Sequence, residues 1–165
     1  MILLLAGVAA LGAKAGPNLA LAYHGHGLTH PGATVRLAWR PSDRRVAFQP
    51  EVEGGGWVHP RHQLALFVRG GIALSHHGRR GGRHGLFAHV GPQRSTWTVP
   101  TFAVGDGDVS RRPLSGQWWL TGTAGVTLGR KSWFVRPQLS LRGPHFHGLA
   151  SDVAVQVGAL LGGAK

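Results

Sequence analysis

Apolar and polar residues alternate along most of the chain after residue 17. The clearest stretch is residues 134–142. Its two faces carry Val135, Pro137, Leu139 and Leu141 on one side and Arg136, Gln138, Ser140 and Arg142 on the other. A period of two is typical of a β-strand whose faces meet different surroundings. The same period recurs in residues 33–40, 46–58, 63–75, 118–128 and 153–157, and more weakly in 18–24 and 86–104.

Glycine, proline and polar residues separate these stretches. Such turn compositions occur at residues 41–43, 59–60, 78–85, 105–108, 129–131 and 143–144. We therefore predict an all-β fold of eight antiparallel strands in up-and-down order, closed into a barrel. Pro50, Pro92 and Pro137 lack a backbone donor, so we expect a bulge or a local gap in the ladder at each of them.

Several predicted strands are ten or more residues long, and a strand that crosses a bilayer in a barrel needs about 9–11 residues. The aliphatic faces of the clear strands carry no charge, and the opposite faces hold both signs. This favours a transmembrane β-barrel with lipid outside and a polar lumen. The predicted lumen network is Arg36, Gln49, Glu51, Glu53, Arg69, Arg136, Gln138 and Gln156. The predicted interfacial girdle is Tyr23, Trp39, Trp57, Trp118 and Trp133.

Alternation alone does not say which face meets lipid. A second interpretation is therefore a secreted, soluble, lipocalin-like barrel that turns its aliphatic face inward and carries a small apolar ligand. The two interpretations differ in the direction in which Val135 and Leu139 point.

Composition narrows the class of protein further. The chain has 165 residues, 42% hydrophobic and 15% charged, with 18 basic and 6 acidic residues and no cysteine. A thiol nucleophile, a disulfide framework and a cysteine-ligated metal centre are excluded. Residues 1–15 have the apolar run and the Ala13-Lys14-Ala15 pattern of a cleaved signal peptide, which leaves residues 16–165 as one barrel domain. The alternative for residues 1–15 is a buried apolar strand or helix.

Two short motifs precede alternating strands. They are Leu28-Thr29-His30-Pro31-Gly32 and Trp57-Val58-His59-Pro60-Arg61-His62. With these motifs the chain resembles a family of small bacterial outer-membrane β-barrel proteins, over residues 17–161. The resemblance implies an antiparallel barrel in a bacterial outer membrane, with both chain ends on the periplasmic side. It implies no catalytic residues.

Histidines concentrate where the odd-numbered loops of such a barrel share one rim. The candidates are His24, His26, His30, His59, His62, His145 and His147. Imidazole is a common ligand of zinc, nickel and copper. A surface metal site is therefore one hypothesis, and an amphipathic loop composition without metal is the other. No other cofactor is expected.

Basic residues, mostly arginines, concentrate in the turns of the opposite rim. These residues are Arg40, Arg44, Arg45, Arg79, Arg80, Arg83, Arg130 and Lys131. We expect them to contact anionic lipid headgroups, although codon usage alone explains an arginine-rich chain equally well. Nucleic acid is not an expected partner, because no exposed stacking platform accompanies the arginines. We expect a monomer.

Catalytic patterns are weak. Ser75 and His76 are adjacent, and neighbours in a strand point to opposite faces. Glu51 and Glu53 share a face, but lumen arginines around them favour structural ion pairs over acid–base chemistry. We therefore expect a non-enzymatic protein. An outer-membrane lipid acylhydrolase is the third interpretation, and it requires a serine–histidine pair on the lipid face.

Overall fold

A computed structural model describes residues 17–27, 29–39, 45–59, 62–78, 80–105, 108–112, 115–145 and 148–161. The predicted signal peptide, residues 1–15, lies outside this range. The described strands are β1 (Asn18–His26), β2 (Gly32–Ala38), β3 (Val46–His59), β4 (Gln63–His77), β5 (Arg83–Trp97), β6 (Thr101–Gly105), β7 (Asp108–Arg112), β8 (Gly116–Gly129), β9 (Trp133–His145) and β10 (Gly148–Leu161). In the part of the chain that the structure describes, no helix has the length and hydropathy needed to cross a membrane.

Eight of these strands form a closed antiparallel barrel, as the alternation predicts. Its order is β1-β10-β9-β8-β5-β4-β3-β2, and β10 closes onto β1 from Leu19↔Leu161 to His26↔Ala154. Closure gives every strand two neighbours and leaves no free edge in the barrel. Strands β6 and β7 were not predicted as a separate element. They form a two-stranded hairpin within the connection from β5 to β8.

The up-and-down order gives the barrel two different ends. The loop rim is the end at which residues 27–31, 60–62, 98–115 and 146–147 connect the strands. The terminal rim is the opposite end, where β1 begins, β10 ends, and residues 39–45, 78–82 and 130–132 form the connections.

The three strand prolines are accommodated without a change of register. The β4–β5 ladder skips the pair that would contain Pro92, and the β8–β9 ladder skips the pair that would contain Pro137. The β2–β3 register ends at Ala38↔Glu51, next to Pro50. The expected gaps are therefore found at Pro92 and Pro137. Among the described pairs the one register shift lies elsewhere, between Gly148 and Ala150.

The two faces of the wall have opposite chemistry. Of the two residues that separate the barrel interpretations, Leu139 is exposed on the outside and Val135, on the same face of β9, is half-buried. Other large exposed side chains of the outer wall are aliphatic or aromatic, including Leu66, Val68 and Ile72 of β4. The inward positions hold buried arginine, glutamate, glutamine, threonine and serine side chains together with alanines and a few aromatic rings. A barrel that carries an apolar ligand would have the reverse arrangement.

Candidate functional site

The lumen network predicted from alternation lies inside the barrel in full. Every one of its eight side chains belongs to a residue that is at most 4% exposed: Arg36, Gln49, Glu51, Glu53, Arg69, Arg136, Gln138 and Gln156. Inward placement follows from the strand period, since each of these residues alternates with an outward aliphatic or small one. Buried charges of this kind are stable only when they are paired and hydrogen-bonded.

Glu51 is the centre of one buried ion cluster. Arg136 donates from Nη2 to Glu51 Oε2 at 2.7 Å, and His89 Nε2 lies 3.0 Å from the same oxygen. Nη1 of Arg36 is 3.9 Å from it. Arg136 also donates from Nε to Thr127 Oγ1 at 2.7 Å. The cluster joins β2, β3, β5, β8 and β9 across the middle of the barrel.

Glu53 forms a second cluster one rung away on the same face of β3. Arg69 donates from Nη2 to Glu53 Oε1 at 2.8 Å, and Gln156 Nε2 is 3.1 Å from each carboxylate oxygen. Arg69 also donates to the hydroxyl of Thr123. Nη1 of Arg136 lies 3.9 Å from Glu53 Oε2, which connects the two clusters. Both glutamates therefore act as structural ion-pair partners, as their position between arginines predicts.

Aromatic rings support the buried guanidinium groups. Arg69 lies over Phe67 at 3.8 Å from the ring centroid, Arg136 over Phe87 at 3.9 Å, and Arg36 over Phe134 at 4.5 Å. Such cation–π contacts stabilise a desolvated guanidinium by about 2 kcal/mol. The period of two places Phe67 on the same inward face as Arg69, but it does not predict these contacts. Of these three contacts, Phe67–Arg69 joins residues two positions apart in one strand, whereas Arg136–Phe87 and Arg36–Phe134 join different strands and have no local sequence signal.

Arg83 departs from its predicted position. We expected it at a turn, in contact with lipid headgroups, but it is buried in the lumen and donates from Nη2 to Gln49 Oε1 at 2.9 Å. Ser75 donates to the same oxygen at 3.2 Å. Arg83 is the first residue of β5 and shares the inward face with Phe87 and His89, which explains its direction.

The other basic turn residues behave differently. Arg45, Arg80, Arg130 and Lys131 are exposed at the terminal rim, and Arg40, Arg44 and Arg79 lie outside the described residues. Their contact with anionic headgroups stays a prediction.

The middle of the lumen is filled. The side chains of Glu51, His89 and Arg136 have no exposed surface at all. Four buried arginines (Arg36, Arg69, Arg83 and Arg136) accompany the two buried glutamates. These buried side chains therefore carry excess positive charge. Because Glu51, His89 and Arg136 have no exposed surface, no open water column passes through the lumen at the level of Glu51.

Two of the candidate histidines lie at the strand edge of the first loop. His24 and His26 lie in β1 and point into the lumen, where both are buried. The ring of His26 stacks on Trp57 at a centroid distance of 4.1 Å and an interplanar angle of 5°. Trp57 was expected in the outer girdle, but it shares the inward face of β3 with Glu51 and Glu53 and is 3% exposed. The pair covers the lumen near the loop rim.

The remaining histidines partly come together at the loop rim. His30 lies between His26 and His59 with centroid distances of 5.9 and 4.3 Å, and His59 lies 4.9 Å from His62. His145 ends β9 at the same rim, and His147 lies outside the described residues. Within the described ranges, no group of three or more histidine, aspartate or glutamate residues is arranged to hold a metal ion. The zinc, nickel or copper site stays a prediction.

The outer ends of the wall carry the rest of the predicted girdle. Tyr23, Trp118 and Trp133 are exposed, and Trp39 is half-buried. Trp133 and Trp39 lie at the terminal rim, and Trp118 lies near the loop rim. Trp97, which the girdle prediction omitted, is exposed at the loop-rim end of β5.

Ser75 and His76 lie on opposite faces of β4, as predicted. Ser75 is buried and bonded to Gln49, whereas the ring of His76 lies 4.6 Å from that of His84, its cross-strand partner. His84 is exposed on the outer wall of β5. Ser75 and His76 therefore cannot share a proton.

Solved structures share this architecture at low sequence identity. The N-terminal β-barrel domain of Pseudomonas aeruginosa OprF aligns with a TM-score of 0.54 and 10% identity, covering 87% of this chain and 97% of that one. The fold is that of a small outer-membrane β-barrel. The outer membrane enzyme PagL aligns with a TM-score of 0.52 and 11% identity, covering 88% of this chain and 99% of that one. No protein-family model and no curated protein sequence matches the chain. The resemblance seen in the sequence is thus confirmed at the level of the fold.

Proposed function

We propose that this chain is a non-enzymatic protein of the bacterial outer membrane whose barrel spans the bilayer and whose filled lumen serves a structural or surface-binding role. The observation that carries the proposal is the opposed chemistry of the two faces: aliphatic side chains cover the outside and ion pairs fill the inside. In water, exposure of the aliphatic wall would cost about 25 cal/mol of free energy per Å² of apolar surface. A bilayer removes that cost.

The shape of the outer wall supports a membrane position. Aliphatic residues such as Val68, Ile72 and Leu139 occupy the middle of the strands, and aromatic residues occupy both ends. Aromatic girdles at both interfaces are typical of transmembrane barrels. Arg94, whose guanidinium lies 5.4 Å from the ring centroid of Trp118, belongs to the loop-rim end of β5 rather than to the middle.

The closed lumen argues for a structural or surface role rather than for solute conduction. The Glu51 and Glu53 clusters tie strands on opposite sides of the barrel together. Residues that lie in separate strands are held by charge-assisted hydrogen bonds, which are about twice as strong as neutral ones. Ligands would then be bound at the rims, where side chains are accessible.

The absence of an enzymatic role is part of the proposal. Similarity to PagL at 11% identity supports a shared fold only. The adjacent Ser75 and His76 face opposite sides of the wall, and Ser75 is engaged by Gln49 inside the lumen.

Membrane fractionation tests the proposal directly. We expect the protein in the detergent-requiring outer-membrane fraction, with an electrophoretic mobility in dodecyl sulfate that changes on boiling, as a folded barrel unfolds. A freely soluble monomer that binds a small apolar ligand would contradict the proposal and favour the soluble-barrel interpretation. Release of fatty acid from outer-membrane lipid by the purified protein would contradict the non-enzymatic part alone.

A further inference from the structure

The β6–β7 hairpin exposes an apolar face at the loop rim. Its ladder pairs Phe102 with Arg111 and Val104 with Val109, so these four side chains share one face. Phe102 is 61% exposed, Val104 79% and Val109 65%. The backbone pairs of both strands are made with each other and with no described strand of the barrel.

Such a hairpin lacks the packing that would keep it folded in water. An isolated two-stranded hairpin is marginally stable at best, and stability requires that a hydrophobic face be covered. On the opposite face Asp108 and Ser110 are also exposed, and a hydrogen bond of 2.6 Å between the hydroxyls of Thr101 and Ser115 holds the base of the hairpin. The three large apolar side chains therefore need an apolar medium outside the barrel.

Position and charge favour a lipid surface as that medium. The hairpin connects β5 and β8, whose loop-rim ends expose Trp97 and Trp118 in the aromatic girdle. Arg111 is exposed on the same face as the apolar residues, beside Phe102. An apolar face with a neighbouring basic side chain is typical of segments that lie in the interface of a membrane with anionic headgroups.

We propose that the face formed by Phe102, Val104, Val109 and Arg111 docks onto the anionic lipid surface next to the loop rim. This inference rests on the proposed membrane position of the barrel. The hairpin would add to the lipid contact of β5 and β8 at the loop rim, with the three apolar side chains below the headgroups and the guanidinium of Arg111 among the phosphates.

Site-specific fluorescent labelling tests this contact, because the chain has no cysteine of its own. Single variants Val104→Cys, Ser110→Cys and Leu120→Cys are labelled with an environment-sensitive dye and folded into vesicles of phosphatidylcholine and phosphatidylglycerol. Val104 reports the apolar face, Ser110 is the matched control on the other face, and Leu120 reports the outer wall of β8. The heat-dependent change in mobility confirms that each labelled barrel is folded.

We expect blue-shifted emission at Val104 and Leu120, with loss of intensity when brominated lipid is included, and neither change at Ser110. Quenching at Leu120 without quenching at Val104 would overturn this inference and leave the membrane position intact. Absence of quenching at both sites would overturn the membrane position itself. A blue shift at Val104 without lipid quenching would show that protein covers the face, which also overturns the inference.

The charge of the lipid provides a second measurement. Replacing phosphatidylglycerol by phosphatidylcholine, or Arg111 by Gln in the Val104→Cys chain, should reduce the lipid quenching at Val104. The same exchange of lipid should leave Leu120 unchanged. Undiminished quenching at Val104 after both changes would overturn the anionic character of the surface.

Discussion

Arg136 and Glu51, 85 residues apart in sequence, form a hydrogen-bonded ion pair of 2.7 Å at the centre of the barrel, and neither side chain has exposed surface. The pair connects β9 to β3 across the lumen. Its partners are also buried: His89 is bonded to the carboxylate, and Thr127 accepts from the guanidinium. The interior of this barrel is thus held by a polar cluster instead of an aliphatic core.

Removing Arg136 should destabilise the folded barrel strongly. Arg136→Met leaves Glu51 buried without its strongest partner, and breaking a buried ion pair in this way costs about 3–5 kcal/mol. Urea unfolding in lipid vesicles, followed by tryptophan fluorescence, measures the loss. Arg130→Gln, at an exposed turn, is the control and should unfold close to the wild-type concentration. Equal unfolding of the two variants would contradict the structural role of the pair.

Replacing both partners should cost less than the sum of the single replacements. In Arg136→Met/Glu51→Gln no carboxylate remains uncompensated, so the two changes should be coupled by about 0.5–3 kcal/mol, the range for residues in direct contact. The double-variant cycle uses the same unfolding assay. Additive losses would show that Arg136 and Glu51 do not depend on one another.

An arginine on the outer wall should be tolerated near a rim and not in the middle. Leu139→Arg places charge at mid-strand and should destabilise the barrel by about 2–4 kcal/mol in a bilayer, whereas Leu128→Arg, near the terminal rim, should cost about 0–1 kcal/mol. The ratio of folded to unfolded protein in vesicles measures both. Equal, small losses would indicate that water rather than lipid surrounds the wall.

Trp57 and Trp118 should respond to different quenchers. Trp57 is stacked on His26 inside the lumen, whereas Trp118 is 61% exposed on the outside. Trp118→Phe should therefore remove part of the emission that brominated lipid quenches. Trp57→Phe should remove emission that neither brominated lipid nor aqueous acrylamide reaches. Lipid quenching of the Trp57 component would contradict its inward position.

Gly71 should not accept a side chain. A Cβ at this position would overlap the carbonyl oxygen of Ala88 and lie 2.5 Å from Cδ2 of His89, the histidine bonded to Glu51. Gly71→Ala should lower the folded yield and stability. Gly122→Ala is the matched strand control, since its Cβ meets nothing within 4 Å. Normal folding of Gly71→Ala would show that His89 has room to move.

The face of a strand on which a residue lies decides whether its side chain points into the lumen, and the sequence contains that information. Alternation assigned Arg36, Glu51 and Arg136 to the inside because a strand turns successive side chains to opposite faces whatever the remaining fold. The same rule applied to Trp57 and Arg83 gives an inward direction. The predictions that Trp57 lies in the girdle and Arg83 at a turn are wrong because both residues belong to strands, and the face of the strand, not the distance from its end, sets the direction of a side chain.

Sequence by itself determined the eight barrel strands, their up-and-down order and the inward direction of the eight predicted lumen residues, since all three follow from a period of two and from turn composition. The tertiary structure decided which lumen residues meet. Glu51 finds Arg136 and His89 because closure and the stagger of the strands set which rungs face each other across the barrel, and no local spacing contains that information. It also decided that the weakly alternating residues 86–104 belong to two strands, because β5 ends at Trp97 and residues 101–104 lie in β6, which pairs with β7 in a separate hairpin.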